Sequence, residues 1–337
     1  MPNGLTDIAR VAELLRFSTS IKIVQDYLRG RNLPFSAAGW EELIAKRIIQ
    51  PVNDGKLDVV DFLKLLSSVE ECGRQHVFLY ECSPDNAHKL MTEDRLQNAL
   101  AVRGLSDLKE NPLVLDTPES AMIVDVRLES ADVPLSLTVK EVYSHEAFKQ
   151  TSTTRNGNKM VKTWDIVKTR AVNVAKLHRD GLLEIRLASV SESSYQEQRE
   201  RFIRQLGDIL PVHQFEVLSF TKAKIKLSDE KDVLAAKIRF TDTILRNDNG
   251  TTVKVATGSH SDDLANDQGA RAGEDAFLGH NGAYADGHNF FIRAVPGLLS
   301  KEILILMSGE SNEFGVMANC DETNYNYVLS ELRSLNQ

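Results

Sequence analysis

The chain has 337 residues, 42% of them hydrophobic and 26% charged, with a formal net charge of −8. These values are ordinary for a soluble globular protein, and the length suits two or three domains with cores that need no covalent staples. The longest apolar runs, such as residues 303–307, are far too short to cross a bilayer. The opening MPNGLTDIARVAELL lacks the basic-then-apolar layout of a signal peptide. Three sparse cysteines (Cys72, Cys82, Cys320) fit a reducing, cytoplasmic setting.

Residues 5–70 read as four helices. Leu5, Ile8, Val11, Ala12, Leu14 and Leu15 recur at helical spacing, with Thr6 or Asp7 as the cap. Further helices are predicted over 21–29, 38–49 and 59–68, with a turn at Asn53-Asp54-Gly55 before the last. Alternation then replaces helical spacing. Strands are expected at 76–80, 122–128 and 135–143, with a helix over 94–102. Residues 150–158 are polar and turn-rich, a hairpin tip or a mobile loop. Residues 159–176 alternate, but the apolar set changes phase around 169–172, which predicts a bulge or a break in the strand. Asp180-Gly181 between apolar runs marks a hairpin into a strand at 182–187, and a helix over 194–210 ends at Pro211.

A second, similar succession follows. Strands are predicted at 215–220, 235–245, 251–256, 290–294, 302–307 and 313–318, with a closing helix over 324–335. Residues 257–289, rich in Gly, Asp and Asn, read as a long irregular and mobile loop. The expected fold class is therefore α+β, with an N-terminal helical module followed by a mostly antiparallel sheet region. The expected divisions are 1–72, 73–211 and 212–337.

Charge is unevenly placed. Residues 149–239 hold 18 Lys and Arg against 11 Asp and Glu, whereas both ends are acidic. The sharpest stretch is 149–179, with Lys149, Arg155, Lys159, Lys162, Lys168, Arg170, Lys176 and Arg179 against Asp165 alone. Basic surface attracts polyanions even on an acidic protein. In an unbroken strand Lys162, Lys168, Arg170 and Lys176 share one face. That face suits a phosphate backbone, with Trp164 or Tyr143 stacking on bases. It equally suits a solvated lysine-rich sheet surface, or docking to the acidic third of a second copy.

Residues 21–48 carry Leu28, Leu33-Pro34 after a basic residue, small residues around Gly39, Leu43 and Lys46-Arg47. This pattern resembles the SAP module, a small helix–loop–helix DNA binder. The loop here is about one residue longer, and Asn32 stands where the family has Gly. In that family the start of the second helix and nearby basic residues approach DNA. The resemblance thus implies Arg29, Arg31, Lys46 and Arg47 as contacts. Without it, Leu28, Leu33, Leu43 and Ile48 are a core and the charges a solvated face. Glu41 and Glu42 at the helix start would repel phosphate.

Other clusters are weaker. His260, Asp262, Asp263, Asp267, Glu274, Asp275, His280, Asp286 and His288 include metal-ligand types, but no known metal-site spacing emerges. Cys72, His76, Cys82 and His88 are zinc-type ligands at irregular intervals, two of them flanking a strand. Asp165 with Glu184 and Arg186, or Asp125 with Arg127, only partly resembles a nuclease site, because Arg does not readily release a proton to activate water. Walker A, G-x-G-x-x-G and G-x-S-x-G sequences are absent.

The sequence therefore points to a non-enzymatic DNA-binding protein with no implied cofactor, metal or membrane partner. It would act on the phosphate backbone within a larger assembly, and defence or genome maintenance would suit it. The expected contacts are Arg29, Arg31, Lys46, Arg47, Arg155, Lys159, Lys162, Lys168, Arg170 and Lys176. The alternatives are a self-associating interaction scaffold and, third, a metal-dependent nuclease.

Overall fold

The structure, a computed structural model, describes residues 7–190, 194–259, 261–280, 282–307 and 309–337. Leu5, Thr6 and His260 lie outside the described residues. The architecture is α+β, with N-terminal helices followed by antiparallel strands. By contact the chain divides into two compact units, Met1–Phe78 with Leu218–Gln337, and Leu79–Val217. The sequence suggested three segments; here residues 1–72 share a unit with the C-terminal part.

The first unit opens with α1 (Ile8–Ser18) and α2 (Ile21–Gly30). Asp7 caps α1 by accepting from the Ala9 N–H, and Val11, Ala12, Leu14 and Leu15 form its buried stripe. Next comes a helical stretch in three pieces, α3 (Trp40–Glu42), a π-helical turn (Leu43–Ile49) and α4 (Gln50–Asn53). Pro51 has no N–H to donate, and the widened ladder lies just before it. Helix α5 (Val59–Cys72) starts with a reciprocal capping box between Asp58 and Asp61. It buries Phe62, Leu65, Leu66 and Val69. Strand β1 (Gln75–Glu81) follows, and the division between the units falls inside it.

The second unit begins with α6 (Pro84–Leu90) and α7 (Glu93–Val102). The sequence reading missed α6, although Ser83 caps it and Pro84 occupies its first turn. Strands β2 (Met122–Ser130), β3 (Pro134–Asn156), β4 (Lys159–His178) and β5 (Leu182–Ala188) form an antiparallel meander. Helix α8 (Tyr195–Leu206) buries Phe202 and Leu206. Strand β6 is only Glu216–Val217, paired with Tyr80 and Glu81 of β1. The longer strand expected at 215–220 is not formed.

The first unit then resumes with α9 (Thr221–Asp229), α10 (Lys231–Leu234), β7 (Ile238–Asn247), β8 (Thr252–Ala256), α11 (Gln268–Leu278), β9 (Ala283–Ile292), β10 (Ile303–Met307), β11 (Glu313–Val316) and α12 (Glu322–Leu335). Its strands run β1, β11, β10, β9, β7, β8, every neighbour antiparallel. Residues 257–289 are not an irregular excursion. Asp263 caps a 3-10 turn at Leu264–Asn266, Asp267 caps α11, and residues 283–289 belong to β9. Two of the polar residues that suggested a loop, Asp263 and Asp267, are helix caps. The helical segment joins this unit through α5: Cys320 Sγ donates to the Cys72 carbonyl at 2.8 Å, and the Glu322 N–H donates to Ser68 Oγ at 3.3 Å.

Neither the bulge nor the break expected around 169–172 is present. Pairing of β4 with β3 runs without a shift from Thr163 to His178, and the register shift lies in β3, between Gln150 and Ser152. The apparent change of phase has another cause. Near Val172 both sheet faces are covered, so Ala171 and Ala175 on one face and Val172 and Val174 on the other are all buried.

Candidate nucleic-acid interface

Pairing of β2 with β3 begins at Met122 opposite Val142, and β5 pairs with β4 from Val174 to Leu177. Beyond these rows β3 and β4 pair with each other, out to Asn156 opposite Lys159. The outer part is a two-stranded ribbon. From Glu146 to Lys168 every residue is exposed except Ala147, which is half-buried. At about 3.3 Å per residue it extends roughly 33 Å from Glu146 to Asn156. Gly157, with φ 62°, sits first in the two-residue turn at the tip, where the chain needs a left-handed residue.

Residues directly opposite in a ladder share a face. One ribbon face therefore carries Lys168 with Glu146, Ile166 with Phe148, Trp164 with Gln150, Lys162 with Thr153, and Met160 with Arg155. The other carries Val167 with Ala147, Asp165 with Lys149, Thr163 with Ser152, Val161 with Thr154, and Lys159 with Asn156. The ribbon thus presents five cations (Lys149, Arg155, Lys159, Lys162, Lys168) against Glu146 and Asp165. Among the described residues, Lys149, Lys159, Lys162 and Lys168 form no ion pair, while Arg155 Nε donates to the Gly157 carbonyl at the tip. Phe148, Met160, Trp164 and Ile166 line the first face in solvent. Of these only Trp164 was singled out from sequence. Membership of one face follows from the β3–β4 register, which the shift near Thr151 obscures.

Arg170 and Lys176 do not belong to this surface. Arg170 Nε donates to the Leu115 carbonyl at 2.7 Å, and Lys176 stands opposite buried Glu184 in the covered sheet. Tyr143 is no stacking platform either. It is buried at the ribbon root, its hydroxyl accepts from Gln198 Nε2 at 2.6 Å, and the Arg201 guanidinium lies 4.6 Å from its ring centre. Burial pushes the Tyr143 hydroxyl well above its ordinary pKa. Beside it, Arg201 makes two hydrogen bonds to buried Glu141, whose second partner is Asn173. This polar cluster ties the ribbon root to α8.

The cations of the helical segment are exposed or half-buried but engaged. Arg29 pairs with Asp26 at 2.6 Å and lies over Phe35; Arg31 pairs with Asp61 at 3.2 Å and lies over Tyr27. Lys46 pairs with Glu42 at 3.1 Å, and Arg47 Nε donates to the Ser36 carbonyl. Asn32 takes the left-handed conformation that Gly favours, φ 57°.

The other clusters do not converge. Asp165 is on the ribbon, whereas Glu184 is fully buried on β5, opposite a residue eleven places along β4, about 36 Å away. Burial opposes the Glu184 charge, but Arg186 and the His178 hydrogen bond outweigh it and hold this carboxyl well below the usual range. Asp125 pairs with Arg127. In the former loop, Asp263 pairs with Arg293, Glu274 with Lys231, and Asp286 with Arg246. His76 Nδ1 contacts Glu313 at 2.8 Å, Cys72 is buried and His88 is exposed. Among the described residues no three His, Cys, Asp or Glu side chains gather as metal ligands do. None of the described helices is long and apolar enough to cross a membrane. A cavity of about 550 Å³ in the first unit is lined by Lys224, Tyr284 and Asp286, with Lys224 Nζ donating to the Asp286 carbonyl.

Compared with known proteins, the chain matches no protein-family model and no curated protein.

Proposed function

We propose that the protein is a non-enzymatic DNA-binding protein that holds the phosphate backbone with its β3–β4 ribbon. One observation carries this: a projecting ribbon, exposed on both faces, concentrates five cations on an otherwise acidic chain. Four of those cations form no ion pair among the described residues, and Lys159 and Lys162 stand opposite Asn156 and Thr153 rather than an acid, so phosphate meets least competition at these two. A two-stranded ribbon is also narrow enough to enter a groove or track a strand. Arg29, Arg31, Lys46 and Arg47 contribute less, since phosphate must displace Asp26, Asp61, Glu42 or a backbone carbonyl.

A second reading, self-association, draws on the exposed Phe148, Met160 and Ile166. Anisotropy of labelled DNA, titrated with protein across a salt series, separates the two. DNA binding through this surface weakens with salt, each phosphate contact contributing about −0.9 to the log–log slope on duplex. Concentration-dependent sedimentation without DNA binding supports self-association instead.

A further inference from the structure

We infer that the ribbon's preferred ligand is single-stranded DNA, with its bases stacked on Trp164 and Phe148. This rests on the DNA-binding function proposed above and names the form of DNA. The two rings lie on one face, in adjacent same-face rows, Phe148 opposite Ile166 and Trp164 opposite Gln150. They are 58% and 48% exposed. Lys168 and Glu146 lie on the root side of the rings, and Lys162, Arg155 and Met160 lie toward the tip, all on the same face. On β4, Lys168 and Lys162 therefore stand before and after the aromatic platform, with Glu146 opposite Lys168 at the root and Arg155 on β3 further toward the tip. A single strand offers this repeat, phosphates along an edge and unpaired bases free to stack. A duplex keeps its base faces occupied, and rings reach them only by prying a step open against its own stacking. Charge alone would not distinguish the two forms; the rings do.

The test uses the full chain, a labelled thymidine oligomer of roughly twenty nucleotides and a duplex of equal length at the same salt. The expected result is tighter binding of the oligomer. Trp164→Ala and Phe148→Ala should each weaken it about ten-fold while changing duplex affinity less than about two-fold. Saturation with the oligomer should also quench tryptophan fluorescence, and Trp164→Phe should abolish that quenching. The two rings are exposed, so unchanged thermal melting of the variants confirms that the fold is kept. Equal or tighter duplex binding overturns the inference, as does tighter binding of a uridine ribo-oligomer. Salt-sensitive binding that Lys162→Glu with Lys168→Glu weakens, but that ignores both ring substitutions, overturns this inference and leaves the DNA-binding function standing. Absence of binding to either DNA at low salt removes both.

Discussion

Phe148 and Ile166 lie directly opposite each other across the β3–β4 ribbon, yet they are 58% and 62% exposed. In a core each would contribute about 1.5–3 kcal/mol by burial. Here that contribution is mostly forgone. Replacing Phe148 with Ser, or Ile166 with Thr, should therefore change stability by no more than about 0.5 kcal/mol, read as the urea midpoint. A loss above about 2 kcal/mol would mean that the face is covered in the free protein.

Two left-handed glycines in the same unit should behave differently. At Gly181, φ 94°, an added Cβ would lie 2.0 Å from the Cys82 carbonyl oxygen, while the Gly181 carbonyl accepts from the Cys82 N–H at 3.0 Å. Gly157, φ 62°, has nothing within 4 Å of such a Cβ. Gly157→Ala should cost about 1 kcal/mol, from backbone conformation alone. Gly181→Ala adds a collision with backbone and should cost more than about 3 kcal/mol. Equal losses in denaturant titration would contradict the close approach at Gly181.

His288 sets an acid limit on stability. It is fully buried, Nε2 lies 3.1 Å from the Lys224 carbonyl, and burial, reinforced by Lys231, pushes its pKa down to about 3. The unfolded chain protonates His288 near its ordinary value of about 6.5. Between the two values the unfolded state binds the extra proton, so stability is full above about pH 6.5 and falls as the pH drops toward 3. The contribution to that fall approaches 1.4 kcal/mol per pH unit. Urea midpoints at pH 7 and 5 should therefore converge in His288→Gln. An undiminished pH slope in that variant would place the effect elsewhere.

The helical segment should depend on its C-terminal neighbours. Cys72 is buried, and residues 68 and 72 of α5 hydrogen-bond to residues 322 and 320. Gly73 comes within 3.1 Å of the Cys320 amide nitrogen, measured from an added Cβ. A fragment of residues 1–72 should unfold at lower urea than the same helices in the full chain, monitored by circular dichroism. An equal midpoint would show that the segment is self-sufficient, as its amphipathic helices suggest from sequence.

Much of this architecture was legible in local chemistry. The stripe of Val11, Leu14 and Leu15, the turn at Asp180-Gly181 and the basic run each follow from spacing or turn chemistry. What was not legible depends on register and on where neighbouring strands stop. Lys162, Lys168, Arg170 and Lys176 look equivalent in alternation. They separate because β2 and β5 flank the sheet near Val142 and Val174 but leave the ribbon bare. Asp263 and Asp267 resembled metal ligands or loop residues because N-caps and ligands draw on the same side chains.

The most direct measurement compares the wild-type chain with Lys162→Glu/Lys168→Glu in salt-titrated binding to labelled DNA. Both lysines are exposed on the ribbon, and among the described residues neither forms an ion pair, so the fold should be unaffected. The expected result is wild-type binding whose affinity falls steeply with salt, together with a much weaker variant whose slope is shallower by about 2 on duplex. Unchanged affinity and slope in the variant, with wild-type binding intact, would contradict a phosphate-gripping ribbon.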